Sequence, residues 1–225
     1  MERRGMRVNG ETLEVGELLH SMAQILKLSL GSVLLYVGVL SGAMIAVDLA
    51  SPDGGGSAML VNIASVVAGY LLIRVLVRDA GLAAGFERGF GAYFGLSLLS
   101  GLGLLLGFVC LVIPGLILFV RWQPAFAILM SEDDASVSGA LEKAWQMTSG
   151  QFWPLLAAVL IGAAIMAVAL LTYTAFDLGY GVQFEVSVIA GNILLSCASV
   201  YLTVLGVAAY ALLRTEGQGL EEIFA

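Results

Sequence analysis

The residue best placed to do chemistry in this chain is Arg121, a guanidinium set inside an otherwise apolar stretch that runs from Leu111 to Met130. An arginine in hydrocarbon is expensive unless it is paired, hydrated or able to reach an interface, and its rigid fork of donors suits a phosphate or carboxylate. Two readings follow. Arg121, with Trp122 beside it, could contact a lipid phosphate or another anion; alternatively it forms a structural pair with Asp177 or Asp48, or snorkels to headgroups. If Pro114-Gly115 turns the chain at the outer surface, six residues of helix place Arg121 only ~9 Å deep.

No other constellation offers a reaction. There is no Ser-His-Asp set and no phosphate loop, and the single histidine, His20, has no partner at metal-ligand spacing. We therefore expect no catalytic residue, no metal and no cofactor. Proton-coupled transport usually leaves a carboxylate inside a span. None of the apolar runs holds an Asp or Glu, which weighs against an ion-coupled pump.

These residues must be positioned by elements made for lipid. The 225-residue chain is 60% hydrophobic and 12% charged with a mean hydropathy of +0.97, whereas soluble domains run near ~45–50% apolar and ~25% charged. A net charge of −7 without clustered Lys or Arg excludes nucleic acid as a partner and leaves membrane lipids. Cys110 and Cys197 fall in apolar runs at different depths, so they read as small buried hydrophobes and not as a disulfide. A polar segment of more than twenty residues precedes the first apolar run, so that run is expected to stay as an anchor and not to be a cleaved signal peptide.

About 20 apolar residues as helix cross a hydrocarbon core of ~30 Å. Spans are expected near 28–47, 58–77, 91–113, 115–130, 154–176 and 186–213, in one domain flanked by an N-terminal segment, 1–27, and a tail, 214–225. The fourth is short, and a rival reading takes 91–130 as one long kinked helix. The distribution of basic residues decides for six. With both termini in the cytoplasm, Arg3, Arg4, Arg7, Lys27, Arg74, Arg78, Arg88, Lys143 and Arg214 all fall on the cytoplasmic side, and the outer joints hold only the acidic Asp48, Asp53, Asp177 and Glu185. Pro124 is expected to kink the fourth span.

Polar joints carry a second pattern. Val15, Leu18, Leu19, Met22, Ile25 and Leu26 recur at helical spacing, as do Val137, Ala140, Leu141, Ala144, Trp145 and Thr148. Both predict amphipathic helices on the cytoplasmic surface, and Leu82, Phe86, Phe90 and Phe94 read as a shorter third, giving three copies of an interfacial helix followed by a hairpin. Gly38 and Gly42 in span one, and Gly91, Gly95, Gly103 and Gly107 in span three, are candidates for close helix packing, with a homo-oligomer face as the competing use. Trp122, Trp145, Trp153 and Phe152 read as interfacial belts, and Asn62 and Asn192 as hydrogen-bonding glue between helices.

The run from Ile113 through Pro-Gly and Arg121-Trp122 to Ala127, followed by Ser136 to Trp153 with its Ala-Leu, Trp, Gly and Phe-Trp series, resembles the YciC-like proteins and the membrane domain beside some glycerophosphoryl diester phosphodiesterases. The resemblance implies a six-helix bacterial inner-membrane protein with no settled substrate. Phosphodiesterase activity is not expected, because that chemistry resides in a separate soluble barrel and this chain has one histidine. The sequence thus predicts an all-α polytopic bundle of six transmembrane helices, non-enzymatic, with a lipid-associated structural or accessory role. The alternative is a transporter or channel for an anionic or lipid-like solute that uses Arg121 as its charge contact.

Overall fold

A computed structural model describes residues 13–50, 57–83, 89–177 and 183–224, with side chains omitted at 57, 58, 60, 176, 177 and 215–224. Among the described residues the protein is helical, with no strand: α1 (Val15–Leu28), α2 (Leu30–Ala50), α3 (Ser57–Asp79), α4 (Phe90–Cys110), α5 (Val112–Arg121), α6 (Ala125–Ser131), α7 (Val137–Met147), α8 (Phe152–Asp177) and α9 (Phe184–Phe224). Six segments are long and apolar enough to cross a membrane, with α5 and α6 together supplying the fourth, Val112–Ser131. The protein is an integral membrane bundle, and the outward faces of its helices suit a lipid solvent: Leu35, Val109 and Ile113 are 67–74% exposed, where water would be an unfavourable neighbour.

The chain reverses between the third and fourth spans at a different point from the one expected. Leu111 alone is extended (φ −165°, ψ 143°), and Pro114 and Gly115 lie inside the first turn of α5. Proline is at ease there, because the first amides of a helix have no intrahelical acceptor and its fixed φ suits the helix. Pro114-Gly115 is therefore a helix start, and the single long helix over 91–130 is excluded. Pro124 does more than kink the fourth span. Helix α5 stops at Arg121, residues 122–124 form a turn, and Pro124 precedes α6.

Both long amphipathic helices form. In α1, Leu18, Met22 and Ile25 are buried, and in α7, Ala140, Leu141 and Ala144 are. Ser136 caps α7, its Oγ accepting from the Gly139 amide at 3.0 Å. Of the third copy, Leu82 is outside any helix, Phe90 and Phe94 belong to α4, and Phe86 lies outside the described residues. Helix α9 runs on past the sixth span to Phe224.

Helix α9 is the axis of the bundle, packing against α1, α2, α3, α6 and α8, while α4 and α5 form an antiparallel pair to one side. The α1/α7 end is dense and cross-tied. Every residue of α6 except Phe126 is buried, as are Val204, Leu205 and the run Val207 to Tyr210 of α9. The Leu13 amide donates to Gln151 Oε1 at 2.7 Å, and Ser29 Oγ donates to Asp79 Oδ2 at 2.9 Å. Glu132, just after α6, accepts from Lys143 of α7 at 2.7 Å and from the Tyr210 hydroxyl of α9 at 3.0 Å. Lys27, Arg74, Arg78, Lys143 and Arg214 all belong to this end, whereas Asp48 and Glu185 belong to the other. The faces of α2, α4 and α8 turned away from the bundle are largely exposed.

Candidate functional site: Arg121 and two cavities in the bundle

Arg121 is the last residue of α5, and its guanidinium reaches the end of α7. Nη1 donates to the Trp145 carbonyl at 3.2 Å, and the guanidinium carbon lies 4.3 Å from the Trp145 ring centroid. The last carbonyls of a helix lack amide partners and carry partial negative charge, which a cation at that end satisfies. Thr148, the C-cap of α7 and fully buried, completes the arrangement: its Oγ1 donates to Ala144 O at 2.8 Å and lies 3.5 Å from Arg121 O. Of the two carboxylates proposed as its partner, Asp48 is engaged elsewhere. Asp48 accepts from Asn192 Nδ2 at 2.8 Å, and the Asp177 side chain is outside the described set. One polar atom is left over, since Arg121 Nε is buried without an acceptor.

Trp122 turns away from Arg121 into the bundle. A Cβ at Gly103 would sit 2.6 Å from its indole, so the missing side chain of Gly103 is the recess that holds the ring. Trp122 is thus a packing residue against α4, not an interfacial one, whereas Trp153 is exposed. Gly107 makes a close crossing with α5, its Cβ position 2.9 Å from Gly115 Cα, and Gly95 meets Val137 at an ordinary 3.5 Å. Gly38, Gly42 and Gly91 have nothing within 4 Å. These three are not internal packing contacts, because the faces that carry them look outward. Unnoticed glycines take that role instead. Gly206 lies against the Gln123 carbonyl, Gly162 against Tyr201 and Gly191 against Tyr173.

Asn192 is buried and ties α9 to α2 through Asp48, while Asn62 is exposed and offers only its carbonyl, to Ser65. His20 is exposed and bonded to Gln24 at 2.9 Å. Cys110 and Cys197 are free thiols on exposed, not buried, faces. Among the described residues no three His, Cys, Asp or Glu side chains converge.

Two cavities lie where the helices diverge. The first, about 200 Å³, is bounded by Tyr93, Phe119, Trp122, Gln123, Thr203 and Gly206, so the turn at 122–124 forms part of its wall. Non-helical backbone at membrane depth is tolerated where it is buried in protein or lines a cavity, and here it does both. The second, about 300 Å³, lies among α2, α3 and α9, with Tyr36, Ser65, Ser196, Ser199 and Thr203 on its wall. Tyr93 and Thr203 line both. Arg121 lines neither, and no charged residue does. The sequence could not reveal either space, since each depends on how far apart the helices stand. No protein family, curated protein or solved structure matches this chain.

Proposed function

We propose that this is a non-enzymatic, lipid-associated structural or accessory protein of a bacterial inner membrane, with both termini in the cytoplasm. The observation that carries the reading is the filled α1/α7 end: among the described residues, α6 and the 204–210 stretch of α9 form a closely packed core rich in buried Ala, Val, Ile and Leu. The gathering of Lys27, Arg74, Arg78, Lys143 and Arg214 at that end supports a cytoplasmic assignment. Kinship with the YciC-like proteins belongs to the same proposal. The segment that carries the resemblance folds as α5, α6 and α7, and its Arg121 and Trp145 stack on one another.

A second reading, transport of an anionic or lipid-like solute, is favoured by one feature. The fourth span is broken at 122–124 beside a cavity, and discontinuous helices often mark transport sites. Efflux of chloride and of phosphate from proteoliposomes separates the two. Rates equal to those of protein-free vesicles support the structural role. Protein-dependent efflux that Arg121→Leu abolishes would replace it with the transporter.

A further inference from the structure

The cavity among α2, α3 and α9 is lined by six hydroxyl-bearing residues, Tyr36, Ser65, Tyr93, Ser196, Ser199 and Thr203. Most hydroxyls in the spans are consumed by their own helix, as expected where water is absent. Ser65 Oγ donates to Asn62 O at 2.7 Å and Thr203 Oγ1 to Ser199 O at 2.8 Å. Tyr36 and Ser199 bond to each other across the α2/α9 interface at 3.1 Å. Two hydroxyls are exceptions, Ser131 away from this cavity and Ser196 on its wall. Ser196 is 1% exposed, it lines the cavity, and its Oγ has no hydrogen-bond partner. An unpaired buried hydroxyl costs about 1–3 kcal/mol, which an occupant of the cavity can recover by accepting from it.

Three properties of the space define that occupant. The wall carries no charged side chain, so a phosphate or carboxylate would enter without compensation, at a cost that excludes it. Ser196 lies twelve residues beyond Phe184, about 18 Å along α9 and so near the middle of the hydrocarbon. A lipid with an ionic headgroup stays at the surface, whereas one with an uncharged hydroxyl headgroup can reach this depth. The volume, about 300 Å³, equals roughly ten water molecules and accommodates such a headgroup with its first few methylenes. Leu40, Met44, Val66 and Leu195 supply apolar wall for those methylenes, and Ser65, Ser199 and Thr203 remain partly exposed beside them.

We infer that the α2/α3/α9 cavity binds the hydroxyl head of an uncharged lipid alcohol, with Ser196 donating to it and the Tyr36–Ser199 pair fixing its orientation. This rests on the lipid-associated reading and names the lipid class. Tyr93 closes the wall toward α4, and its hydroxyl is seated by the missing side chain of Gly69, whose Cβ position lies 2.7 Å away.

The test is retention of added lipid by the purified full-length protein in detergent, read by native mass spectrometry. The probes are 1,2-dioleoylglycerol, geranylgeraniol and dioleoyl phosphatidic acid. Both alcohols, or whichever of the two is the natural source, are expected to be retained at least tenfold better than phosphatidic acid. Ser196→Ala removes only an unpartnered oxygen, so helicity and melting should hold while retention of the alcohol falls about tenfold. Ser196→Leu, which fills the space, should abolish it. Phosphatidic acid retained as well as the alcohols, or retention unchanged in Ser196→Ala, overturns the lipid class while leaving lipid association intact. Retention of none of the three overturns both.

Discussion

Replacing Gly107 by alanine adds one methyl where α4 crosses α5 backbone to backbone. That carbon would lie 2.9 Å from Gly115 Cα, 3.2 Å from Gly115 N and 3.0 Å from Leu118 Cδ1. Carbon pairs rest near ~3.5–4.0 Å, so the shortfall against Gly115 Cα is at least ~0.6 Å. Two of the three neighbours are backbone, which no rotamer change can move. Helices α4 and α5 must separate, and because Leu111 is the only residue joining them the separation cannot be absorbed in a loop. Overpacking of this kind costs about 1–3 kcal/mol, which for a chain of this size lowers Tm by roughly 2–4 °C per kcal/mol. The assay is thermal unfolding in detergent, followed by circular dichroism, with Gly42→Ala as the matched control. Nothing lies within 4 Å of the Gly42 position, so its Tm should stay within a degree or two of wild type. Equal melting for Gly107→Ala and Gly42→Ala would refute the close crossing.

Other substitutions probe the remaining ties. Arg121→Leu removes a charged hydrogen bond and the contact with Trp145, worth about 2–3 kcal/mol together, less about 1 for the Nε relieved of its burial; Tm should fall by several degrees, and Arg121→Lys should not restore it because lysine lacks the fork. Tyr210→Phe leaves Glu132 with Lys143 and deletes the link to α9, an expected loss of about 1 kcal/mol in the same melting assay. Asn192→Leu removes the amide that donates to Asp48 and should cost about 0.6 kcal/mol, with ~1.7 as the upper bound for hydrogen bonds between membrane helices. Full retention of stability in any of these variants would show that the corresponding contact does not hold the bundle.

Apolar run length was enough to locate the six crossings, because a bilayer imposes one length on every span and the backbone has no alternative to helix within it. The amphipathic helices α1 and α7 were legible for a related reason: their stripes recur at helical spacing in otherwise polar joints. What escaped was the detail that depends on neighbours. Pro114-Gly115 suits both a turn and the first turn of a helix, and only the packing of Gly107 on Gly115 selects the second. Glycine spacing along one helix pointed to Gly103 and Gly107, but also to Gly38, Gly42 and Gly91, whose faces meet nothing. Gly206 and Gly162 went unseen because close approach is a property of two helices. The partner of Arg121 is a backbone carbonyl 24 residues away, and a carbonyl leaves no mark in composition. Ser196 was indistinguishable from any other serine in an apolar run until its missing partner and the adjoining space were visible.

The account depends most on α1 and α7 lying on one side of a bilayer and the α8–α9 joint on the other. With Cys110 and Cys197 replaced by alanine, single substitutions His20→Cys, Glu142→Cys and Gln183→Cys can be labelled in sealed vesicles with a membrane-impermeant maleimide. Positions 20 and 142 should react together from one face, and 183 only from the opposite face. Reaction of 183 from the same face as 142, or of 20 and 142 from different faces, would contradict the six-crossing bundle.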